Sequence, residues 1–169
     1  MKNLILTSLL LLLSVLQTFS QDCKYDKNEI DKFNGKLILE TKKTTVYANS
    51  LDPQMKSMFF RFSQIDSLNY LEVSKWYSSI ISVNKSDKFL LKLDNGQLIE
   101  LESMKYNIAT PYSGKWHINI DYFLSKENLK FLQNNLITEV RIYTTDGYIE
   151  ESVNSKNSIK IKSSSNCIK

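Results

Sequence analysis

His117 is the only histidine in the chain, so a Ser/His/acid or Cys/His nucleophilic arrangement would have to use it. Imidazole is well suited to general-base work near neutral pH. Here it follows Trp116 on a segment with strand alternation, on the side opposite the apolar residues, which reads as a surface strand histidine. Glu100 and Glu102 are two apart on a strand pattern, so they share a face at roughly 6.5–7 Å between backbones, a spacing that resembles an inverting glycosidase pair. Such pairs stand across a cleft on different elements, and adjacent carboxylates on a hairpin read first as a solvated face. Ser82-Val83-Asn84-Lys85 has the Ser-x-x-Lys spacing of penicillin-binding enzymes, but the companion Ser-Asp-Asn and Lys-Thr-Gly motifs are missing. In a chain with 21 serines and 20 lysines the spacing arises by chance. No catalytic residue, cofactor or metal ligand set is therefore assigned. Trp76, Tyr77, Tyr112, Trp116 and His117 form the candidate binding surface, because aromatic side chains with a polar edge suit glycan or protein partners.

These residues must be positioned by strands. Alternation marks Leu37 to Thr41, Met58 to Ile65, Tyr70 to Tyr77 and Trp116 to Tyr122. Leu51-Asp52-Pro53 is a break. Asn95-Gly96 centres a hairpin over Phe89 to Leu101. A three-residue loop with a left-handed Gly96 puts Phe89, Leu91, Leu93, Ile99 and Leu101 on one face, and register follows that face. A second hairpin, Val140 to Val153, turns at Asp146-Gly147. One helix follows Ser125, with Leu129, Leu132 and Leu136 as its apolar stripe. Asn107 to Gly114 reads as the longest irregular loop, and Ile159 and Ile161 allow a short strand or a helical turn in the tail. The expected fold is mostly β (bordering on α+β): an antiparallel sandwich or barrel of about seven to nine strands, with one short helix near the C-terminus.

Residues 1–20 have the three-part build of a secretory signal peptide: Lys2, an apolar run from Leu4 to Leu16, and small residues before a cleavage site after Ser20. The run of about 13 residues is short of the roughly 20 that span a bilayer. Nothing later in the mature chain reaches membrane-spanning length. Residues 21–169 are expected to be one domain. Without Lys2 the chain has 21 basic and 18 acidic residues, a charge of +3 that is too mild to indicate nucleic acid. Only Arg61 and Arg141 could make bidentate phosphate or base contacts. Cys23 and Cys167, one near each end of the mature chain, read as a disulfide. Lipidation of Cys23 is disfavoured because Asp22, not a small residue, precedes it.

The stretch Asp22-Cys23-Lys24-Tyr25-Asp26-Lys27-Asn28-Glu29-Ile30-Asp31-Lys32-Phe33-Asn34-Gly35-Lys36 resembles the start of uncharacterised small exported proteins of Gram-negative bacteria. Val140 to Tyr148 and Asn166-Cys167-Ile168 are similar to that group as well. The resemblance implies export, periplasmic or extracellular, and brings no activity. The expected function is a non-enzymatic exported binding or interaction module. One alternative is a β-barrel carrier of a small apolar ligand, lined by Phe60, Phe62, Leu91 and Trp116, and another is a small hydrolase. The expected partner is a protein, a glycan or a small apolar ligand.

Overall fold

A computed structural model describes residues 23–48 and 57–169. The proposed leader and the break at Leu51-Asp52-Pro53 lie outside them. Two antiparallel sheets face one another as a sandwich; the fold is not a closed barrel. The larger sheet has the order β1 (Tyr25–Ile30), β2 (Leu37–Thr41), β4 (Met58–Ile65), β5 (Leu68–Tyr77), β11 (Lys115–Leu124), β10 (Thr110–Tyr112). β3 (Thr44–Tyr47) pairs with the other end of β4, so Lys42-Lys43 marks a kink between two short strands on one neighbour. The smaller sheet runs β13 (Gly147–Ser152), β12 (Ile137–Thr144), β7 (Lys88–Leu93), β8 (Leu98–Glu102). β6 (Ser82–Val83) and β9 (Asn107–Ile108) form a two-stranded ribbon.

Alternation accounts for the core. Met58, Phe60 and Phe62 on β4, Leu71 and Val73 on β5, and Ile118, Ile120 and Tyr122 on β11 all point inward and are buried. They meet Phe89, Leu91, Leu93, Val140 and Ile142 of the smaller sheet. Phe89 is the contact between layers, edge-on to Phe60 at 5.8 Å and 5.0 Å from the Tyr122 ring. Phe60, Phe62 and Leu91 are thus filling side chains of a packed interior, and Trp116 lies half-buried against it. The barrel lining expected for a ligand carrier is not formed by these residues.

The β7–β8 hairpin has the three-residue turn. Leu93 N–H donates to Gln97 O at 2.9 Å, Leu91 stands opposite Ile99, and Gly96 has φ +84°. Asn95 Oδ1 accepts from Gln97 N–H at 3.0 Å, an Asx turn that fixes the corner. The β12–β13 hairpin corrects the expected turn: Thr144 pairs with Gly147, so the two-residue turn is Thr145-Asp146.

Thirteen strands are present among the described residues rather than seven to nine. The additional ones are short, and β1 is exposed along nearly its whole length, so no alternation announces it. The expected irregular loop at Asn107 to Gly114 contains β9 and β10.

There are also two helices rather than one. α1 (Lys126–Asn134) is capped by Ser125, whose Oγ accepts from Asn128 N–H at 3.1 Å. Leu129 and Leu132 are buried as expected, but Leu136 lies past the helix end, where its N–H donates to Asp94 Oδ1 at 3.1 Å. The tail forms α2 (Ser155–Ser165), capped by Asn154. Its buried face is Ser158, Ile161 and Ser165, at i, i+3 and i+7. Two of those three are serines, so the helical period is invisible to hydrophobicity. α2 packs on β3, β4, β12 and α1. The Cys23–Cys167 disulfide, Cα–Cα 5.6 Å, ties the residue before Lys24 and β1 to the end of this helix. Tyr25 OH donates to Cys167 O at 2.7 Å beside it. No helix among the described residues is long and apolar enough to cross a membrane.

Candidate functional site

Register decides which aromatic residues share a surface. β5 and β11 pair so that Trp76 stands opposite His117, and Tyr77 opposite Trp116. Successive side chains on a strand point to opposite faces. Trp76 and His117 therefore face outward, while Tyr77 and Trp116 face inward and pack against the core. The five-residue surface expected from the sequence is divided, and only Trp76, Tyr112 and His117 come together. Tyr112 joins them from edge strand β10, which pairs Thr110 with His117. Its ring lies 5.7 Å from Trp76, and the His117 ring lies 4.5 Å from Trp76 on another side. Tyr112 is 67% exposed.

The polar neighbours of this cluster come from residues the sequence did not single out. His117 Nε2 is 2.8 Å from Ser74 Oγ, one diagonal step along the β5–β11 ladder. The Lys43 ammonium, reaching over from the kink between β2 and β3, donates to the same Oγ at 3.0 Å and pairs with Glu72 at 2.9 Å. The Ser74 hydroxyl has one hydrogen and two lone pairs, so besides accepting from Lys43 it can either donate to Nε2 or accept from it, according to the imidazole tautomer. The network continues outward along the sheet: Glu72 to Arg61 at 3.7 Å, and Arg61 to Glu40 and Asp26 at 3.2 Å each. No short sequence motif links these residues; only strand register does.

Burial and then the Lys43 charge hold the His117 pKa below its usual 6.5, and Glu72 opposes them weakly. The folded protein thus favours neutral imidazole. Its contribution to stability is complete above pH 6.5 and is lost as the pH falls from 6.5 through the folded midpoint. Because the chain has one histidine, a single imidazole resonance reads this directly by NMR. The midpoint is expected below 6.5, and Lys43→Met is expected to move it upward; a midpoint at or above 6.5 would contradict the arrangement.

Ser74 and His117 have the separation of a nucleophile and its base. Ser74 is only 2% exposed, however, and its Oγ is covered by Lys43. Glu100 and Glu102 lie on edge strand β8, exposed, with Glu100 paired to Lys88 at 2.7 Å. They line no cleft with an apolar wall and form the solvated face. Ser82 Oγ is 2.8 Å from Thr145 Oγ1. Both cysteines are consumed in the disulfide, which removes a thiol nucleophile. No group of three His, Cys, Asp or Glu residues suited to a metal ion occurs among the described residues. What this face can do chemically is present three rings and a set of fixed donors and acceptors to another molecule.

Comparison of the chain with protein-family models, with curated proteins and with solved structures gives no match.

Proposed function

We propose that this protein is an exported, non-enzymatic binding module whose partner contacts the outer face of the seven-stranded sheet around Trp76, Tyr112 and His117. The observation behind the reading is the meeting of those three rings, with Tyr112 two-thirds exposed, on the outer face of that sheet. Export is supported by the leader-like residues 1–20, by the disulfide, which persists in oxidising compartments, and by the resemblance to small exported proteins of Gram-negative bacteria. A glycan is the partner class the surface suits best. Rings offer apolar contact, while Thr110, Asn119 and His117 Nδ1 offer hydrogen bonds at their edges.

The test uses Trp116→Phe, which leaves Trp76 as the sole tryptophan. Titration with oligosaccharides of the host's own surface is expected to shift Trp76 emission. Trp76→Ala and Tyr112→Ala should each weaken binding at least tenfold, as anchor residues do. Undiminished binding in both alanine variants would remove the proposal. A second reading, a small hydrolase, is favoured by the Ser74–His117 hydrogen bond alone. Covalent labelling by a fluorophosphonate that disappears in Ser74→Ala would favour it over the binding module.

A further inference from the structure

A groove of about 560 Å³ runs between the β2–β3 kink and α2, beside the disulfide. Lys24, Lys42, Lys43 and Lys160 line it, together with Thr44 and Thr45, and no acidic residue among the described ones does. Two other grooves differ from it in charge. The one on the outer sheet face mixes Arg61 and Lys105 with Glu40, Glu72 and Asp121, and the one on the smaller sheet mixes Lys92 and Arg141 with Glu139 and Glu150. Lys27, Lys88, Lys92 and Lys105 each pair with a carboxylate. No ion pair among the described residues engages Lys24, Lys42 or Lys160. Lys43 is paired with Glu72, and the other three like charges around one concavity repel one another and focus the field on whatever anion enters.

The walls are fixed rather than incidental. The Cys23–Cys167 bond and the Tyr25–Cys167 hydrogen bond clamp the Lys24 wall to the end of α2. Lys42 N–H donates to Lys24 O at 3.0 Å, which holds the two lysine-bearing segments side by side. Asn157 Nδ2 donates to Val46 O at 3.1 Å, which joins α2 to β3 at the far end.

We infer that this groove is a binding site for a phosphate-bearing ligand, held by the Lys24, Lys42 and Lys160 ammoniums as point charges. Lysine binds phosphate in this way without the planar fork of arginine. The phosphate could belong to a free small molecule or to a lipid headgroup, and the groove chemistry is the same for both. The groove shares Lys43 with the network behind His117 but contains none of the three rings, and the variants below leave Lys43 in place, so its test is read apart from that of the glycan reading.

The disulfide holds Lys24 beside the C-terminal end of α2, where cations are favoured for helix stability, so the readout must be binding. Pyrophosphate titrated calorimetrically at low salt, and flotation with vesicles containing phosphatidylglycerol against phosphatidylcholine alone, form the two arms. The variant is Lys42→Glu/Lys160→Glu. The control is Lys36→Glu/Lys130→Glu, which makes the same change in net charge on exposed residues away from the groove. The groove variant is expected to bind at least tenfold more weakly, and the control within twofold of wild type. Groove-dependent binding of pyrophosphate assigns the site to a free phosphate compound. Groove-dependent binding of anionic vesicles alone assigns it to a lipid headgroup. Failure of both probes, or equal losses in the two variants, would overturn the inference.

Discussion

Cys23→Ser/Cys167→Ser is expected to lower the stability of the folded chain by about 2–5 kcal/mol and its Tm by roughly 10 °C, read by thermal unfolding against the oxidised wild type. The two cysteines are 144 positions apart, so the bridge removes conformational freedom from nearly the whole unfolded chain. The chain-entropy model sets about 5 kcal/mol as the ceiling for a loop of that size. The native state adds a local reason. β1 is an edge strand paired on one side only, with five of its six residues exposed. Little apolar burial holds it, so its attachment depends on the β2 ladder, on the Tyr25–Cys167 hydrogen bond and on the covalent link. Without the link, hydrogen exchange should accelerate first in β1 and in the last turn of α2. A double variant with the Tm of the oxidised protein would show that the sandwich alone holds its ends.

Phe60→Ala is expected to cost about 3–5 kcal/mol, the range for removing a fully buried aromatic ring from a core that cannot collapse into the space. Phe60 is completely buried at the centre of β4, with β3 and β5 on its flanks and Phe89 across the layer. Both sheets lose the contact at once. A loss of that size is a large share of the 5–15 kcal/mol that stabilises an ordinary domain. Urea unfolding should show a lower midpoint with an unchanged slope. Phe59→Ala is the comparison, since Phe59 is the next residue on the same strand, faces the other way and is only partly buried. Equal losses at the two positions would contradict the assignment of faces.

Much of this architecture is legible in the sequence because the relevant signals are local. Asn95-Gly96 and the apolar alternation on either side are enough to select the β7–β8 turn and its register. At the second hairpin the same reasoning misplaces the turn by one residue. Moving it from Asp146-Gly147 to Thr145-Asp146 shifts the pairing by two, and a shift of two leaves every side chain on its original face. The hydrophobic pattern therefore cannot distinguish the two turns. α2 was obscured by serines on its buried face, where close approach to β3 and α1 asks for small side chains.

The candidate site was legible only in fragments. Alternation alone forbids Trp76 and Tyr77 from sharing a surface, and the structure puts them on opposite faces. The meeting of Ser74, Lys43 and His117 depends on which strands become neighbours. β5 and β11 are separated by five other elements, and no residue type announces that pairing.

The bond between Cys23 and Cys167 makes the chain from 23 to 167 a covalent ring. A protease that cuts once in an exposed turn, for example at Asp94-Asn95-Gly96, opens the ring without releasing a fragment. The severed β7 and β8 would remain in register, held from both directions by the rest of the backbone. The same geometry means the fold has no topologically privileged beginning. A circular permutant joined across the 5.6 Å gap and reopened at Asn95-Gly96 would keep the same sheets and the same groove.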